Sequence, residues 1–137
     1  MDLFDRQIIS YAIGASPNLE LANASLRGAL ATLEEGQIPL VHSGQGFQYQ
    51  HNSWRTLLAS AGAVQSMSRK ANCYDNAVIE SWFSTVKSEE GERFESYAHA
   101  KEALFDYIEV FYNQRRRHST LGHISPAEFE RRAGYAA

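Results

Sequence analysis

The sequence has one cysteine, Cys73, among 137 residues. That excludes an internal disulfide and a cysteine-rich zinc site. No apolar run approaches the roughly 20 residues that cross a bilayer as a helix. Met1 leads straight into Asp2, Asp5 and Arg6, so no basic-then-apolar leader is expected and the cytoplasm is the expected location. A strong charge of one sign is also missing. The net charge is −3, whereas a dedicated nucleic-acid-binding domain is usually basic. No internal repeat or low-complexity stretch occurs.

What is present is ordinary for a globular protein: 44% hydrophobic and 21% charged residues, in a length that suits one compact domain, residues 1–137. The charges are unevenly placed. Arg115, Arg116, Arg117 and His118 form one run, Arg69–Lys70 and Arg131–Arg132 two pairs, while acids gather at Glu34, Glu35, Glu89, Glu90 and Glu92. This distribution fits either a solvated surface or a locally basic face on an acidic protein.

Periodicity alternates between strand and helix. Gln7–Ile13 alternates apolar and small residues and reads as a strand ended by Gly14. Ser16 and Pro17 predict a helix start, followed by Leu19, Ala22, Leu26, Ala29, Leu30 and Leu33 at helical spacing up to Gly36. Ile38–His42 and Ala63–Ser66 predict short strands, with a helix on Trp54, Leu57, Leu58 and Ala61 between them. Asp75 predicts the N-cap of a helix carrying Val78, Ile79, Trp82, Phe83 and Val86. Tyr97, Ala100, Leu104, Ile108 and Phe111 predict one long amphipathic helix. Ser125-Pro126-Ala127-Glu128 is a capping box with proline in the first helical position. The order of elements predicts an α/β layered fold.

Two segments carry the chemistry. His42-Ser43-Gly44-Gln45-Gly46 follows a strand, where α/β proteins commonly bind ligands. Asn72 to Ser81 opens a helix and includes Glu80, which by itself is equally an acid suited to a helix N-terminus. The five histidines, His42, His51, His99, His118 and His123, have no metal-ligand spacing and read as structural or surface residues.

Together these segments resemble the second-frame transposases of insertion sequences, whose catalytic core is similar to retroviral integrase. Met1–Arg6 looks like that family's second strand and turn, and Val41–Gly46 like the segment of its second catalytic aspartate. Gln65–Lys70 and Asp75–Ser81 look like the loop and helix of its catalytic glutamate. Phe111–Asn113 through Arg117–His118, then Leu121–Gly122 and Ser125–Phe129, look like its C-terminal signature. The resemblance implies a ribonuclease-H-like fold, truncated before its first strand, with a mixed sheet flanked by helices. It also implies DNA as partner and three carboxylates holding Mg²⁺ or Mn²⁺ for in-line attack on a phosphodiester.

This chain departs from that pattern. The third carboxylate matches Glu80, but Gly44 stands where the second aspartate belongs, with 35 residues between them as in the family. The first is expected on a strand ahead of residue 1. Asp2 and Asp5 fall after the second strand, and Asp75 lies about 500° around the helix from Glu80 at roughly 100° per residue. The expectation is therefore a catalytically inactive core that binds no metal cofactor, Glu80 being the sole remnant ligand. Ser84 and Lys87 resemble DNA-contacting positions of the glutamate helix, and Arg69 and Lys70 lie in a loop where phosphate contact is expected. Lys87 is equally a solvated lysine, and the Arg115–Arg117 run equally a partner for a helix dipole. A non-catalytic module that regulates an intact transposase is the alternative, with self-association through an exposed sheet edge. An active enzyme that borrows a strand from another chain is the third reading.

Overall fold

In the computed structural model, residues 1–70, 72–91 and 93–134 are described, Cys73 by its backbone alone. Glu92, one of the clustered acids, lies outside the described residues. The chain divides into two compact units. Ser10–Trp82 forms a sheet unit, and Met1–Ile9 with Phe83–Ala137 a terminal unit.

The sheet unit begins with α1 (Leu19–Leu30), then β1 (Leu40–Ser43), α2 (Phe47–Gln50), α3 (Asn52–Ser60) and β2 (Val64–Met67). α1 starts later than Ser16 and Pro17 suggest, because the Asn18 side chain accepts from the Leu21 amide at 2.8 Å and caps it. It also ends at Leu30, short of Gly36. His51 caps α3 by accepting from the Ser53 amide at 3.1 Å. α3 ends at Ser60, and two residues on Gly62, whose φ of +70° suits glycine, turns the chain towards β2.

β1 and β2 pair in parallel with Leu40 opposite Val64, Val41 opposite Gln65, His42 opposite Ser66 and Ser43 opposite Met67. The two expected short strands are thus present, each shifted by one or two residues. Leu26, Trp54 and Leu58 form the core, with Val41, Tyr49 and Ala63 packed on it. Partners in register share a face. Val41 turns to the helices, so Leu40 and Val64 lie on the other face and stay 68% and 52% exposed.

Among the described residues the sheet is this parallel pair; the wider mixed sheet is not formed. Gln7–Ile13 in particular is not a strand. At Ile8 a side chain meets the backbone instead: the Asn113 side chain accepts from the Ile8 amide at 2.9 Å and donates to the Ile8 carbonyl at 3.0 Å. Ser10 lies against α1 so closely that a Cβ on Gly28 would sit 2.3 Å from its Oγ. The alternation marked a partly buried segment without a strand partner, in which Asn113 takes the place of a ladder at Ile8.

A 3₁₀ turn (Cys73–Asn76) leads into α4 (Ala77–Glu89), within which the division of the units falls. Asp75 is not the expected N-cap. It lies inside the turn, which Asn72 caps by accepting from the Tyr74 amide at 3.0 Å. In the terminal unit, α5 (Tyr97–Phe105) passes into a π-helix (Asp106–Tyr112), where one long α-helix was expected. The Asn113 amide reaches back five residues to Ile108 at 3.0 Å. This wider turn lets Tyr107, Ile108, Tyr112 and Asn113 all be buried while Phe111 stays exposed. α6 (Pro126–Arg132) begins as expected, with Ser125 accepting from the Glu128 amide. The other half of the capping box is absent, because Glu128 pairs with Arg131 and Arg132. Among the described residues no helix is long and apolar enough to cross a membrane.

Candidate nucleic-acid interface

The loop after β1 and the loop after β2 meet through hydrogen bonds. The Ser68 amide donates to the Ser43 carbonyl at 2.8 Å, one step beyond the paired strands. The Gln45 side chain donates to the Ser68 carbonyl at 2.8 Å. His42 lies 2.9 Å from Ser66 Oγ by Nδ1 and 3.1 Å from Ser68 Oγ by Nε2. The Ser68 hydroxyl donates to the Ser43 carbonyl, so it accepts from His42 Nε2–H, and Nδ1 accepts from Ser66. His42 is therefore a structural residue that fixes the strand ends from which both loops depart.

The two loops enclose a shallow cleft lined by Gly44, Gln45, Ser68, Arg69, Lys70, Asn72 and Asn76. Gly44 leaves room in it. A Cβ there would stand 3.5 Å from Asn76 Nδ2, an ordinary contact, with nothing else within 4 Å. Among the described residues that line it, the cleft wall carries amides, a hydroxyl and two cations but no carboxylate.

Arg69 is tied down. Asp75 accepts from its amide at 2.7 Å, from Nε at 3.1 Å and from Nη2 at 2.8 Å. Hydrogen bonding to the Arg69 side chain, then to its amide, lowers the Asp75 pKa to about 2. Three bonds to one arginine outcompete the single bond a helix cap offers. Lys70 is exposed on the cleft rim.

Glu80, Ser84 and Lys87 all lie on α4 with exposed side chains. Glu80 belongs to the sheet unit but does not line the cleft, while Ser84 and Lys87 belong to the terminal unit. Among the described residues no three His, Cys, Asp or Glu side chains converge as metal ligands. The donor set around Gly44 does not fit the two-metal carboxylate centre that the resemblance implies.

Of the Arg115–Arg117 run, Arg116 is engaged: its guanidinium spans both Glu89 carboxylate oxygens at 2.8–3.0 Å, and the Tyr107 hydroxyl donates to Glu89 at 2.6 Å. Sequence reasoning passed over Asn72, Asn76, Gln45 and Ser68 as site residues. Both loops were marked by their motifs, but amides and hydroxyls are too common in loops to stand out.

The integrase core domain family matches residues 80–133. A transposase-like protein of Haemophilus influenzae is 39% identical over 130 residues, 93% of this chain and 59% of that protein. A putative transposase of insertion sequence element IS150 from Escherichia coli is 38% identical over 131 residues, 94% of this chain and 46% of its own length. The transposase of insertion sequence element IS904 from Lactococcus lactis is 36% identical over 133 residues, covering 96% and 53%. The chain spans about half the length of the curated relatives it matches.

Proposed function

We propose, from a chain that belongs to the insertion-sequence transposase family of integrase-core proteins, that these residues engage transposon DNA and supply no divalent-metal centre of their own. Residues 1–137 are read as one integrase-core-like domain of ribonuclease-H-like type, acting in the cytoplasm. The parallel β1–β2 pair with α2 and α3 between them supports that fold, as a βαβ arrangement of this kind does in α/β proteins. The observation that carries the functional reading is the cleft. Where the family resemblance calls for an aspartate, Gly44 presents an open space beside an amide nitrogen.

A divalent ion held by Glu80 alone would keep most of its water shell, because Mg²⁺ dehydrates reluctantly and one carboxylate does not replace six oxygens. The remaining chemistry is recognition. Lys70 at the cleft, with Ser84 and Lys87 on α4, supplies groups suited to a phosphate backbone. Calorimetry with Mn²⁺ tests the metal half of the reading. No saturable site is expected below millimolar concentration, and a site that disappears in Glu80→Ala would overturn it. A labelled transposon-end duplex titrated at rising salt tests the other half. Weak binding that falls steeply with salt is expected.

A second reading, association with another transposase chain, draws on the open sheet face. Ile38, 72% exposed, adds to Leu40 and Val64 as an apolar row. Sedimentation across a concentration series, compared with Leu40→Lys, distinguishes it.

A further inference from the structure

We propose that the cleft beside Gly44 is an anion site that takes a phosphodiester oxygen of DNA directly, without a metal ion. This rests on the DNA-binding reading above and names the chemistry of its contact. A metal-bridged phosphate needs carboxylates to hold the bridging ion. A directly held phosphate needs the opposite: hydrogen-bond donors, a net positive rim and no acid in the wall. The seven residues of the wall meet the second description.

The donors are identifiable. Asn76 presents Nδ2 to the space that Gly44 leaves open, 3.5 Å from where a Cβ would stand. Asn72 lines the cleft and commits its Oδ1 to the Tyr74 amide, so what its side chain has to offer an anion is the NH₂ donor. Lys70 contributes the rim's charge, since the charge of Arg69 is balanced by Asp75. The Arg69–Asp75 pair therefore shapes the loop, and Lys70 carries the attraction. The floor is preformed, because Gln45 and Ser68 are spent on each other and on Ser43. Glycine at position 44 is then the residue that admits the anion. A carboxylate there would place negative charge against it and restore the need for a cation.

Binding of a labelled DNA duplex to the full chain, at low salt, separates the two chemistries. In EDTA the unmodified chain binds as well as in Mn²⁺ at matched ionic strength. Lys70→Ala weakens binding about tenfold and lowers the salt slope by about one. Gly44→Asn, of equal size to aspartate and no charge, fills the space and weakens binding severalfold, whereas Gly44→Asp adds a negative charge at the same place and weakens it about tenfold further, in EDTA and in Mn²⁺ alike. Lys101→Ala on α5 changes nothing. Inorganic phosphate competes only at millimolar concentration; displacement at micromolar phosphate would make this a free-anion pocket and overturn the DNA assignment. Loss of binding in EDTA by the unmodified chain would overturn the proposal by revealing a metal-bridged site. Binding that ignores both Lys70→Ala and Gly44→Asp removes this inference and leaves the DNA reading standing. No DNA binding by any variant removes both.

Discussion

The two units use their polar side chains in opposite ways. In the terminal unit most inward polar groups meet a partner within the unit, His118 Nε2 being buried without one. Asn113 is buried and satisfies both the amide and the carbonyl of Ile8, while Asp5 is buried and accepts from the Gln7 amide and side chain. Arg116, Glu89 and Tyr107 form a closed set. In the sheet unit His42, Ser66 and Ser68 secure the strand ends, the buried Asn23 donates to Ser53 Oγ at 2.9 Å with its Oδ1 unpaired, and Lys70, Asn72 and Asn76 line an open cleft. A wall of matched pairs has nothing left to give a ligand. A wall of donors beside a glycine does. The difference separates a part whose polar residues build the fold from one whose polar residues are offered outward.

The sharpest test of that contrast is Asn113→Ala. It strips the Ile8 amide and carbonyl of their partners within a buried setting, which costs about 2–4 kcal/mol of stability for two orphaned groups. Urea denaturation measures it. A loss below about 1 kcal/mol would mean the backbone finds water instead, and the terminal unit would not be the matched interior described.

Glu89→Gln comes next. Its pKa is lowered, chiefly by the Arg116 side chain, so the carboxylate contributes stability that is full above the ordinary carboxylate range and is lost as pH falls through its depressed value. Both partners are partly exposed, so the expected loss at pH 7 is about 1 kcal/mol. The substitution also removes the charge that, after burial, holds the Tyr107 pKa above its ordinary value. Ultraviolet titration of the tyrosines should show one shifting down.

Two aspartates extend the comparison at smaller scale. Burial raises the pKa of Asp5, so its contribution is greatest in acid and is lost as pH rises through the raised value. Arg69 holds Asp75 down to about 2, so that contribution is complete above about 3.8 and lost only as pH falls through about 2. Carbon-detected NMR of the side-chain carboxyls should resolve the two opposite shifts. Asp75→Asn should leave thermal stability nearly unchanged while the Arg69 Nε–H signal broadens. A sharp signal in that variant would show the loop is shaped by something other than the pair.

How far the sequence carried these conclusions depended on the kind of interaction. Local ones were legible: Ser125 at a helix start and the short strands at Leu40 and Val64 follow from residue type and period. The Val41–Gly46 and Asp75–Ser81 motifs marked two segments that meet at the cleft, through Gly44, Gln45 and Asn76. Non-local polar contacts were not legible. Nothing near Gln7–Ile13 announces that a side chain more than 100 residues away takes the hydrogen bonds a strand partner would have made. Asp75 has every local property of a cap, and only the position of Arg69 diverts it. The π-helix was hidden too, because Ile108 and Phe111 fit an α-helical stripe equally well until the buried Tyr112 and Asn113 require a wider turn.

A small effect is also expected at Gly44, and it bears directly on why glycine stands there. Glycine is required where φ is positive, as at Gly62, or where another group comes too near, as Ser10 does at Gly28. Neither holds at Gly44. Its φ is not positive, and an added Cβ would meet only Asn76 Nδ2 at 3.5 Å. Replacing such a glycine narrows the unfolded ensemble without straining the native loop, so Gly44→Ala should be neutral or stabilising by up to about 0.5–1 kcal/mol. Chemical denaturation of Gly44→Ala beside Gly28→Ala provides the measurement and its control, since Gly28→Ala must displace Ser10 and should destabilise. If Gly44→Ala costs more than about 1 kcal/mol, the glycine is there for the fold, and its open space stops being evidence for a ligand. If it costs nothing, glycine at this position answers to what enters the cleft.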